Sequence, residues 1–447
     1  MREFLLTLCV ATAVTYLLTG PVRKFAIIAG AMPQIRDRDV HKEPTPRLGG
    51  IAMFGGLCAG LLVASHLTTL SSIFNGSSDV RALLSGAAIM WIIGVLDDKW
   101  GVDALVKLGG QMVAAGVMVY QGVTVLWLPI PGVGTWVVPQ TLGTVVAVAL
   151  VVISVNAVNF IDGLDGLAAG MVCIAALAFF VYSYRLSYGY GIADALPATL
   201  FSAVLVGMCL GFLPHNLHPA RIFMGDSGAL LLGLVLSVSM ISLTGRVDPA
   251  ALITDKTYGS QTQAVHSMVP IYIPLLLPLT VIAIPLTDLI LAVVRRTWAG
   301  KSPFAADRQH LHHRLLDIGH SQTRAVLVMY FWAGLFAFGT VAFSVNRTPL
   351  LLVKIGMAAC LIGIVVLLMP RFKPHAPRMA ERFLPPRYRH AVGADEKVRE
   401  VLTQAAAEPP VATVDSLSHE DEELLRKIGT GAHAAGRHSG ASGRNGR

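Results

Sequence analysis

Residues 141–167 read TLGTVVAVALVVISVNAVNFIDGLDGL. The part through residue 160 is mostly apolar and long enough, at about 1.5 Å rise per residue, to cross roughly 30 Å of hydrocarbon. Such a segment must be helical, because lipid cannot satisfy open backbone groups. The stretch ends in a dense polar group, and polar side chains are costly beside hydrocarbon unless they face a wet site. It therefore predicts a membrane helix whose end carries chemistry.

The composition extends this interpretation to the whole chain. Hydrophobic residues make up 54% of the 447 residues and charged residues only 14%, which a water-soluble globular protein would not tolerate on its surface. We therefore predict an all-α, polytopic integral membrane protein of about eleven transmembrane helices. The predicted spans lie near residues 3–20, 48–69, 82–97, 104–120, 141–160, 167–185, 196–213, 228–244, 270–294, 324–344 and 350–369.

Basic residues give the predicted orientation. Lys and Arg are frequent in 21–47 and again after residue 370, and such residues mark cytoplasmic loops. The N-terminus is therefore expected outside and the C-terminus in the cytoplasm, in a multi-pass protein of the plasma (inner) membrane. The same positive-inside bias accounts for the formal charge of +8, so no nucleic-acid partner is inferred.

The chain is expected to divide into a transmembrane catalytic domain, 1–370, and a cytoplasmic basic tail, 371–447. The tail is rich in Pro, Ala, Arg and Gly, which predicts that it is mostly disordered. Prolines and glycines also mark residues 121–140 as an outer turn or a short hairpin. Alternation of the spans puts the polar ends of the third, fifth and eighth spans on the cytoplasmic face.

Two acids, Asp97 and Asp98, close the third predicted span. Carboxylates at a helix C-terminus face the negative end of the helix dipole and gain nothing there as caps. A solvated helix face is one explanation. The better explanation is that a cation offsets their charge, either Mg²⁺ or one of the nearby residues Lys99 and Lys107.

The fifth predicted span ends in two polar pairs, Asn156 with Asn159 and Asp162 with Asp165. The members of each pair are three residues apart, so they can share a helix face, and the glycines among them permit unwinding. Structural polar packing is one interpretation. A wet site explains the density of polar groups better, because they are costly within a span.

The segment 216–228, NLHPARIFMGDSG, leads into the eighth predicted span. Asp226 or Ser227 could simply cap the start of that helix. Alternatively, the helix N-terminus binds a phosphate, and a carboxylate beside it holds the Mg²⁺ of that phosphate. The sequence alone favours neither interpretation of Asp226.

Histidines and cations complete the polar set. The three histidines of 310–313 lack a fourth ligand at zinc spacing, so we expect them, with Arg314, to donate hydrogen bonds to a pyrophosphate. Lys42 and Arg47 lie in a loop that also carries two prolines and two glycines. They are either positive-inside anchors or cations that a shaped loop offers to an anion.

Taken in order, these motifs resemble those of the polyprenyl-phosphate N-acetylhexosamine-1-phosphate transferases of bacterial cell envelopes. The resemblance runs from about residue 20 to residue 370 and excludes the tail. The matching segments are KEPTPRLGG (42–50), GVLDD (94–98), NAVNFIDGLDGL (156–167), FMGDSG (223–228) and HLHH (310–313). The family is implied to move a sugar 1-phosphate from a UDP-sugar nucleotide to a membrane polyprenyl phosphate lipid, with release of UMP. Mg²⁺, or Mn²⁺ in its place, is the implied cofactor, and a homodimer is one assembly that the resemblance allows.

The resemblance also implies roles for individual residues. Asp226 is expected to be the principal Mg²⁺ ligand with help from Asp98, and Asp97 is expected to position or deprotonate the acceptor phosphate. The second pKa of a phosphate monoester is near 6, so the acceptor is largely dianionic at neutral pH and needs no strong base. The expected catalytic residues are Asp97, Asp98, Asp226, His310, His312 and His313. The expected substrate-binding residues are Lys42, Arg47, Lys107, Asn156, Asn159, Asp162, Asp165, Asn216 and Arg314.

Two features indicate a branch of that family. Arg47 and the His-Leu-His-His pattern resemble the branch that transfers GlcNAc 1-phosphate, which predicts UDP-GlcNAc as the donor in the first membrane step of a cell-envelope glycan. The branch that uses the muramyl-pentapeptide nucleotide in peptidoglycan synthesis is the alternative. A secondary transporter is a further alternative, but transporters usually hold their polar sites near the bilayer midplane rather than at span ends.

Overall fold

The computed structural model describes residues 1–32, 45–76, 78–130, 134–189, 191–246, 297 and 321–345. The predicted spans near 270–294 and 350–369 and the predicted tail from 371 lie outside these residues, as does the boundary between the two predicted domains. Five of the predicted site residues also lie outside them: Lys42, His310, His312, His313 and Arg314.

The described part of the chain is mostly helical. Its α-helices are α1 (Arg2–Ile28), α2 (Gly49–Ser65), α3 (Ser71–Gly76), α4 (Asp79–Trp100), α5 (Ala104–Tyr120), α6 (Gln140–Ile161), α7 (Leu167–Tyr184), α8 (Leu196–Asn216), α9 (Gly225–Arg246) and α10 (Gln322–Val345). A π-helical turn, Arg185–Gly189, extends α7, and a 3₁₀ turn, Ala193–Ala195, precedes α8. Two short strands complete the set, β1 (Trp127–Ile130) and β2 (Gly134–Val137).

Each predicted span within the described residues coincides with a helix. Seven of these described helices are long and apolar enough to cross a membrane, namely α1, α4, α6, α7, α8, α9 and α10 with their flanking turns. The apolar helices α2 and α5 are shorter, at 17 residues each. The structure therefore supports a polytopic membrane protein, whereas the count of about eleven spans and the sides of the two termini stay predictions.

Helix α9 occupies the centre of the described bundle. It packs against α2, α4, α6 and α8, and every residue from Ser227 to Thr244 is buried. Its second residue, Asp226, is half-buried. Helix α8 in turn packs on α1 and α7, and α10 packs on α7. The carboxylate that the sequence singles out thus stands at the open end of the most enclosed helix.

Glycines allow the helices to approach closely, as small residues do in membrane bundles. A Cβ atom added at Gly207 or Gly211 on α8 would overlap main-chain oxygen atoms of α1. At Gly233 on α9, an added Cβ would overlap the backbone of α6. These contacts bring α8 to main-chain distance from α1, and α9 to main-chain distance from α6.

The strands form one antiparallel hairpin between α5 and α6. Trp127 pairs with Val137 and Ile130 with Gly134. The sequence predicted an outer turn or a short hairpin here, and the hairpin is the form observed. It adds two four-residue strands to a chain that is otherwise helical in its described part.

Candidate active site

Four helix ends meet at one end of the bundle and bring together the carboxylates that the sequence singled out. Lys107, in the first turn of α5, lies with its Nζ 3.0 Å from Asp97 Oδ2 in the last turn of α4. The same ammonium group contacts Asp226 Oδ2 at the start of α9. Asn159, in the last turn of α6, donates from Nδ2 to that Asp226 oxygen at 3.0 Å. Asp97, Lys107, Asn159 and Asp226 therefore form one cluster, which we call the carboxylate cluster.

Asp97 is held from two sides. Its Oδ2 faces Lys107, and its Oδ1 accepts a hydrogen bond of 2.9 Å from the backbone N–H of Val102, just after the helix. The side chain is therefore fixed by the turn that connects α4 to α5, so that it points at the ammonium group of α5. This arrangement supplies the cation that a carboxylate at a helix C-terminus needs.

Asp98 points to a different helix and meets a different positive charge. Its Oδ1 accepts from the N–H of Asp226 at 2.8 Å, and its Oδ2 accepts from the N–H and the hydroxyl of Ser227 at 3.1 and 2.7 Å. These donors belong to the first turn of α9, the positive end of that helix dipole. Asp98 therefore caps α9 from a neighbouring helix.

This contact decides the question that the sequence left open at the start of α9. The capping carboxylate is that of Asp98, so the side chain of Asp226 is not needed as a cap. It is directed instead to Lys107 and Asn159. The capping interpretation of Asp226 is therefore wrong, while the role of Asp226 in metal binding stays a prediction.

Three glycines make room for the start of α9. A Cβ atom at Gly50 on α2 or at Gly94 on α4 would overlap the backbone of Ser227. Gly225 has a φ of +68°, a conformation that glycine adopts readily, and a Cβ there would overlap the Asp98 carboxylate. The first turn of α9 is thus enclosed by the main chains of α2 and α4 with no space for larger residues.

The loop before α2 and the start of α2 form hydrogen bonds with the residues just before α9. The N–H groups of Gly49 and Gly50 donate to the carbonyl oxygens of Phe223 and Met224, each at 3.0 Å, and the N–H of Phe223 donates to Pro46 at 2.9 Å. Arg47, predicted to bind substrate, lies on this loop beside the site. The sequence suggested the paired glycines as part of an anion-binding loop. The structure requires glycine at both positions because the two backbone segments approach so closely.

Asp162 follows directly after α6 and lies in the field of the other carboxylates. Burial first, and then the charges of Asp226 and Asp98, raise the pKa of Asp162 to about 7, although the guanidinium group of Arg47 opposes the shift. Loss of solvent alone raises a carboxyl pKa, and neighbouring negative charges raise it further. An added cation nearby would therefore favour the ionised form of Asp162 over its neutral form.

Asp165 and Asn216 contact protein groups in the neighbouring loops. Asp165 Oδ2 accepts from His218 Nδ1 at 2.7 Å and from the N–H of Ala220 at 3.1 Å. The Asn216 amide accepts from the N–H of Gly166 and donates to the carbonyl of Ile222, both at 3.1 Å. Both side chains therefore hold the loop after α6 against the loop before α9, and substrate contact by either stays a prediction.

Asn156 is paired across helices. Its Nδ2 donates to Gln111 Oε1 at 2.6 Å, and Gln111 Nε2 lies 3.4 Å from Asn156 Oδ1. Gln111 lies one turn beyond Lys107 on α5 and is buried. The pair therefore joins α5 to α6 directly beneath the carboxylate cluster, and it satisfies both amides without a substrate.

Sequence reasoning missed several residues that shape this site. Gln111, His218 and Tyr330 were not singled out, and the Tyr330 hydroxyl on α10 donates to the carbonyl of Gly166. A buried glutamine one turn from Lys107 in an apolar helix was a usable signal, because an amide in a membrane span needs a partner. Tyr330 and His218 gave no such signal, since their partners lie far away in sequence.

The residues present suit a magnesium ion. Within the described residues, no group of three or more His, Cys, Asp or Glu side chains is arranged as a complete metal site. Asp226 nevertheless offers a half-buried carboxylate next to the amide of Asn159. The ammonium group of Lys107 contacts both Asp226 and Asp97, so the two carboxylates lie near each other. Oxygen donors of this kind are the ligands that Mg²⁺ takes, and it usually uses only one or two carboxylates together with substrate phosphates and water.

Comparison with known proteins adds an independent observation. The chain is 44% identical over 377 residues to the decaprenyl-phosphate N-acetylglucosaminephosphotransferase of Mycolicibacterium smegmatis, covering 83% of this chain and 89% of the relative. The family model described as glycosyl transferase family 4 matches residues 80–244. The chain belongs to glycosyl transferase family 4. The resemblance that the motif order predicted, to the polyprenyl-phosphate N-acetylhexosamine-1-phosphate transferases, is thereby confirmed.

Two other relatives of this family 4 protein bear on its branch. It is 31% identical over 386 residues to the probable undecaprenyl-phosphate N-acetylglucosaminyl 1-phosphate transferase of Bacillus subtilis, covering 86% of this chain and 95% of the relative. It is 32% identical over 299 residues to the phospho-N-acetylmuramoyl-pentapeptide-transferase of Mycobacterium leprae, covering 59% of this chain and 82% of the relative. The relatives named for GlcNAc transfer therefore match more of the chain, in agreement with the predicted branch.

Proposed function

We propose that this protein transfers GlcNAc 1-phosphate from UDP-GlcNAc to a membrane polyprenyl phosphate. The products are polyprenyl-diphospho-GlcNAc and UMP, and the reaction begins a cell-envelope glycan. The observation that carries the proposal is the carboxylate cluster, which stands at the end of apolar helices in a chain of glycosyl transferase family 4. An enzyme that transfers a sugar phosphate from a water-soluble nucleotide to a lipid phosphate needs its polar groups at such an end.

The reaction is a phosphoryl transfer. An oxygen of the acceptor phosphate attacks the β-phosphorus of UDP-GlcNAc, and the bond from that phosphorus to the bridging oxygen breaks as UMP leaves. Little covalent chemistry is left to the protein, so positioning and charge neutralisation carry most of the catalysis. A bound Mg²⁺ would neutralise the pyrophosphate and polarise its oxygens.

Asp226 is the side chain best placed to hold that ion. Its carboxylate lies at the mouth of the bundle and does not cap its own helix. The amide of Asn159 lies beside it and can turn its oxygen toward a cation. We therefore assign Asp226 and Asn159 as the metal ligands. Asp98 is not assigned as a ligand, because both of its oxygens accept hydrogen bonds from α9.

Lys107 and Asp97 are placed to serve the acceptor side. The ammonium group of Lys107 lies between two carboxylates and presents a positive charge where phosphate oxygens would approach. The acceptor phosphate is largely dianionic at neutral pH, so it can attack without a strong base. Asp97 would therefore act by orienting Lys107 and the acceptor rather than by taking a proton.

The remaining predicted residues complete the proposal. Arg47 and Asp162 flank the carboxylate cluster and would face the nucleotide. Lys42, His310, His312, His313 and Arg314 stay predictions as phosphate contacts, because they lie outside the described residues. The cytoplasmic orientation, the inner-membrane location and a homodimeric assembly stay predictions as well.

The test is a reconstitution of the full-length protein. Purified protein in lipid should release UMP from UDP-GlcNAc only when polyprenyl phosphate and Mg²⁺ are both present, and a lipid-linked diphospho-sugar should form. UDP-MurNAc-pentapeptide serves as the competing donor in a parallel reaction. Absence of UMP release in both detergent and lipid would refute the function, and a clear preference for the pentapeptide nucleotide would refute the branch.

A further inference from the structure

We infer that Asp98 is a positioning residue that fixes the start of α9, and with it the Asp226 carboxylate, rather than a ligand of the metal. The inference rests on the proposed function for its catalytic meaning. Its structural part depends only on contacts among described residues. It assigns different roles to two adjacent acids that the sequence motif presents as a pair.

The hydrogen bonds of Asp98 leave it little capacity for a metal. An ionised carboxylate offers about four lone-pair sites on its two oxygens. Three of these sites accept from Asp226 and Ser227, at 2.7 to 3.1 Å. The Cα of Gly225 closes the same side of the carboxylate, since an added Cβ there would overlap both oxygens. A metal ion could therefore reach only the remaining site on Oδ1 unless the first turn of α9 were displaced.

Burial and charge support the same assignment. Asp98 is 9% exposed, and its carboxylate faces the N–H groups at the positive end of α9. A buried carboxylate is stable when hydrogen bonds and opposite charge compensate for lost water. The helix N-terminus supplies both, so burial of the Asp98 carboxyl group does not by itself require a metal ion.

The geometry links Asp98 to Asp226 through the backbone. The N–H that Asp98 accepts is that of Asp226 itself, so the cap fixes the backbone from which the Asp226 side chain leaves. Gly50 and Gly94 hold the backbone of Ser227 on its other sides. From this fixed main chain, the Asp226 carboxylate is directed toward Lys107 and Asn159.

The first experiment measures hydrogen–deuterium exchange of the peptide that contains the first turn of α9, in the full-length protein without metal. Asp98→Asn replaces one acceptor oxygen by an NH₂ group, which cannot accept the α9 amides. We expect the amides of Asp226 and Ser227 to exchange about tenfold faster in this variant, because a helix cap has been lost. The matched control is Asp97→Asn, which should leave this exchange unchanged.

The second experiment measures Mn²⁺ binding by electron paramagnetic resonance. We expect Asp98→Asn to weaken binding by roughly tenfold and Ser227→Ala, which removes one of the three bonds, to weaken it by less. The double variant should bind about as weakly as Asp98→Asn alone, because the Ser227 hydroxyl acts through Asp98. Should Asp98→Asn fail to fold, Ser227→Ala still tests the inference by both measurements.

Two outcomes would overturn the inference. If Asp98→Asn abolishes Mn²⁺ binding while the exchange of α9 is unchanged, Asp98 is a ligand. If the exchange rises but Mn²⁺ affinity stays that of the wild type, the cap has a structural role alone and does not position Asp226. Neither result depends on UMP release, so failure of the proposed function would be seen separately in the reconstitution assay.

Discussion

Asp97 and Asp98 show what one step along a helix can change. Successive side chains on an α-helix point about 100° apart, so two adjacent acids cannot serve the same neighbour. Asp97 faces Lys107 of α5, and Asp98 faces the first turn of α9. One carboxylate therefore meets the ammonium group of a side chain, and the other meets donors in the first turn of α9.

At the scale of single residues, the sequence predicted which side chains matter better than it predicted their partners. Asp226 and Lys107 were predicted in the site, and they contact each other. The partners of Asp98 and Asn216 could not be predicted, because those partners belong to elements more than a few residues away. Spacing within one helix limits which residues share a face, but it does not indicate which other helix that face meets.

The first prediction concerns Asp226. We expect Asp226→Asn to lower UMP release by roughly a hundredfold or more, because a metal ion contributes several kcal/mol to the stabilisation of transition-state charge. The measurement is initial rate at saturating Mg²⁺, with gel filtration to confirm folding. The matched control is Asp103→Asn, an exposed acid that caps α5 and that asparagine replaces well. Near-normal turnover of the Asp226→Asn variant would show that Asp226 is not a metal ligand.

At the scale of elements, the site exists because six helix ends converge. The C-terminal ends of α4, α6 and α8 meet the N-terminal ends of α5, α7 and α9, as antiparallel neighbours require. The described spans were predictable, since hydropathy measures the length of apolar segments. Helix α1 continues past its apolar part to Ile28, and the short helix α3 was not predicted. Hydropathy does not detect helix that continues through polar residues or lies outside the hydrocarbon.

The second prediction concerns the contact of α4 with α9. Gly94→Ala places a methyl group against the backbone of Ser227, and such overpacking typically costs about 1 to 3 kcal/mol. We expect a lower midpoint of thermal unfolding and a lower rate of UMP release. The control is Gly116→Ala on α5, where an added Cβ meets nothing within 4 Å, so stability should hold or improve. Equal stability of the two variants would contradict this account of the packing.

The third prediction concerns the amide pair that joins α5 to α6. Gln111→Leu or Asn156→Leu leaves one amide without its partner, and we expect each to cost about 1 kcal/mol. The double variant should lose less than the sum of the single losses, by about 0.5 kcal/mol or more. Unfolding in a denaturing detergent series measures all three variants. Strictly additive losses would show that the two amides do not interact.

At the scale of the whole molecule, the described helices form an apolar bundle with the carboxylate cluster at one end. This arrangement is unlike that expected of a transporter, whose polar site lies near the midplane. The sequence predicted a polytopic membrane protein and a polar site at the ends of its helices. The phosphate contacts that the sequence predicted at His310, His312, His313 and Arg314 lie outside the described residues and stay predictions.

The fourth prediction concerns orientation. If the carboxylate cluster faces the cytoplasm, inverted membrane vesicles should release UMP from added UDP-GlcNAc at once, because this charged nucleotide does not cross the bilayer. Right-side-out vesicles should release UMP only after permeabilisation. Radiolabelled nucleotide and thin-layer separation of UMP provide the measurement. Immediate release by intact right-side-out vesicles would place the site on the outer face and reverse the predicted topology.

The hydrogen bonds of Gly49, Gly50 and Pro46 with the segment at Phe223 and Met224 join main-chain atoms alone. Exchange of a side chain such as that of Arg47 or Phe223 therefore leaves these hydrogen bonds in place. Over evolutionary time, the side chains of these two loops can diverge while the backbone that leads to Asp226 stays in register. Substitutions in these loops are accordingly a way to change the surface beside Asp226 without moving the start of α9.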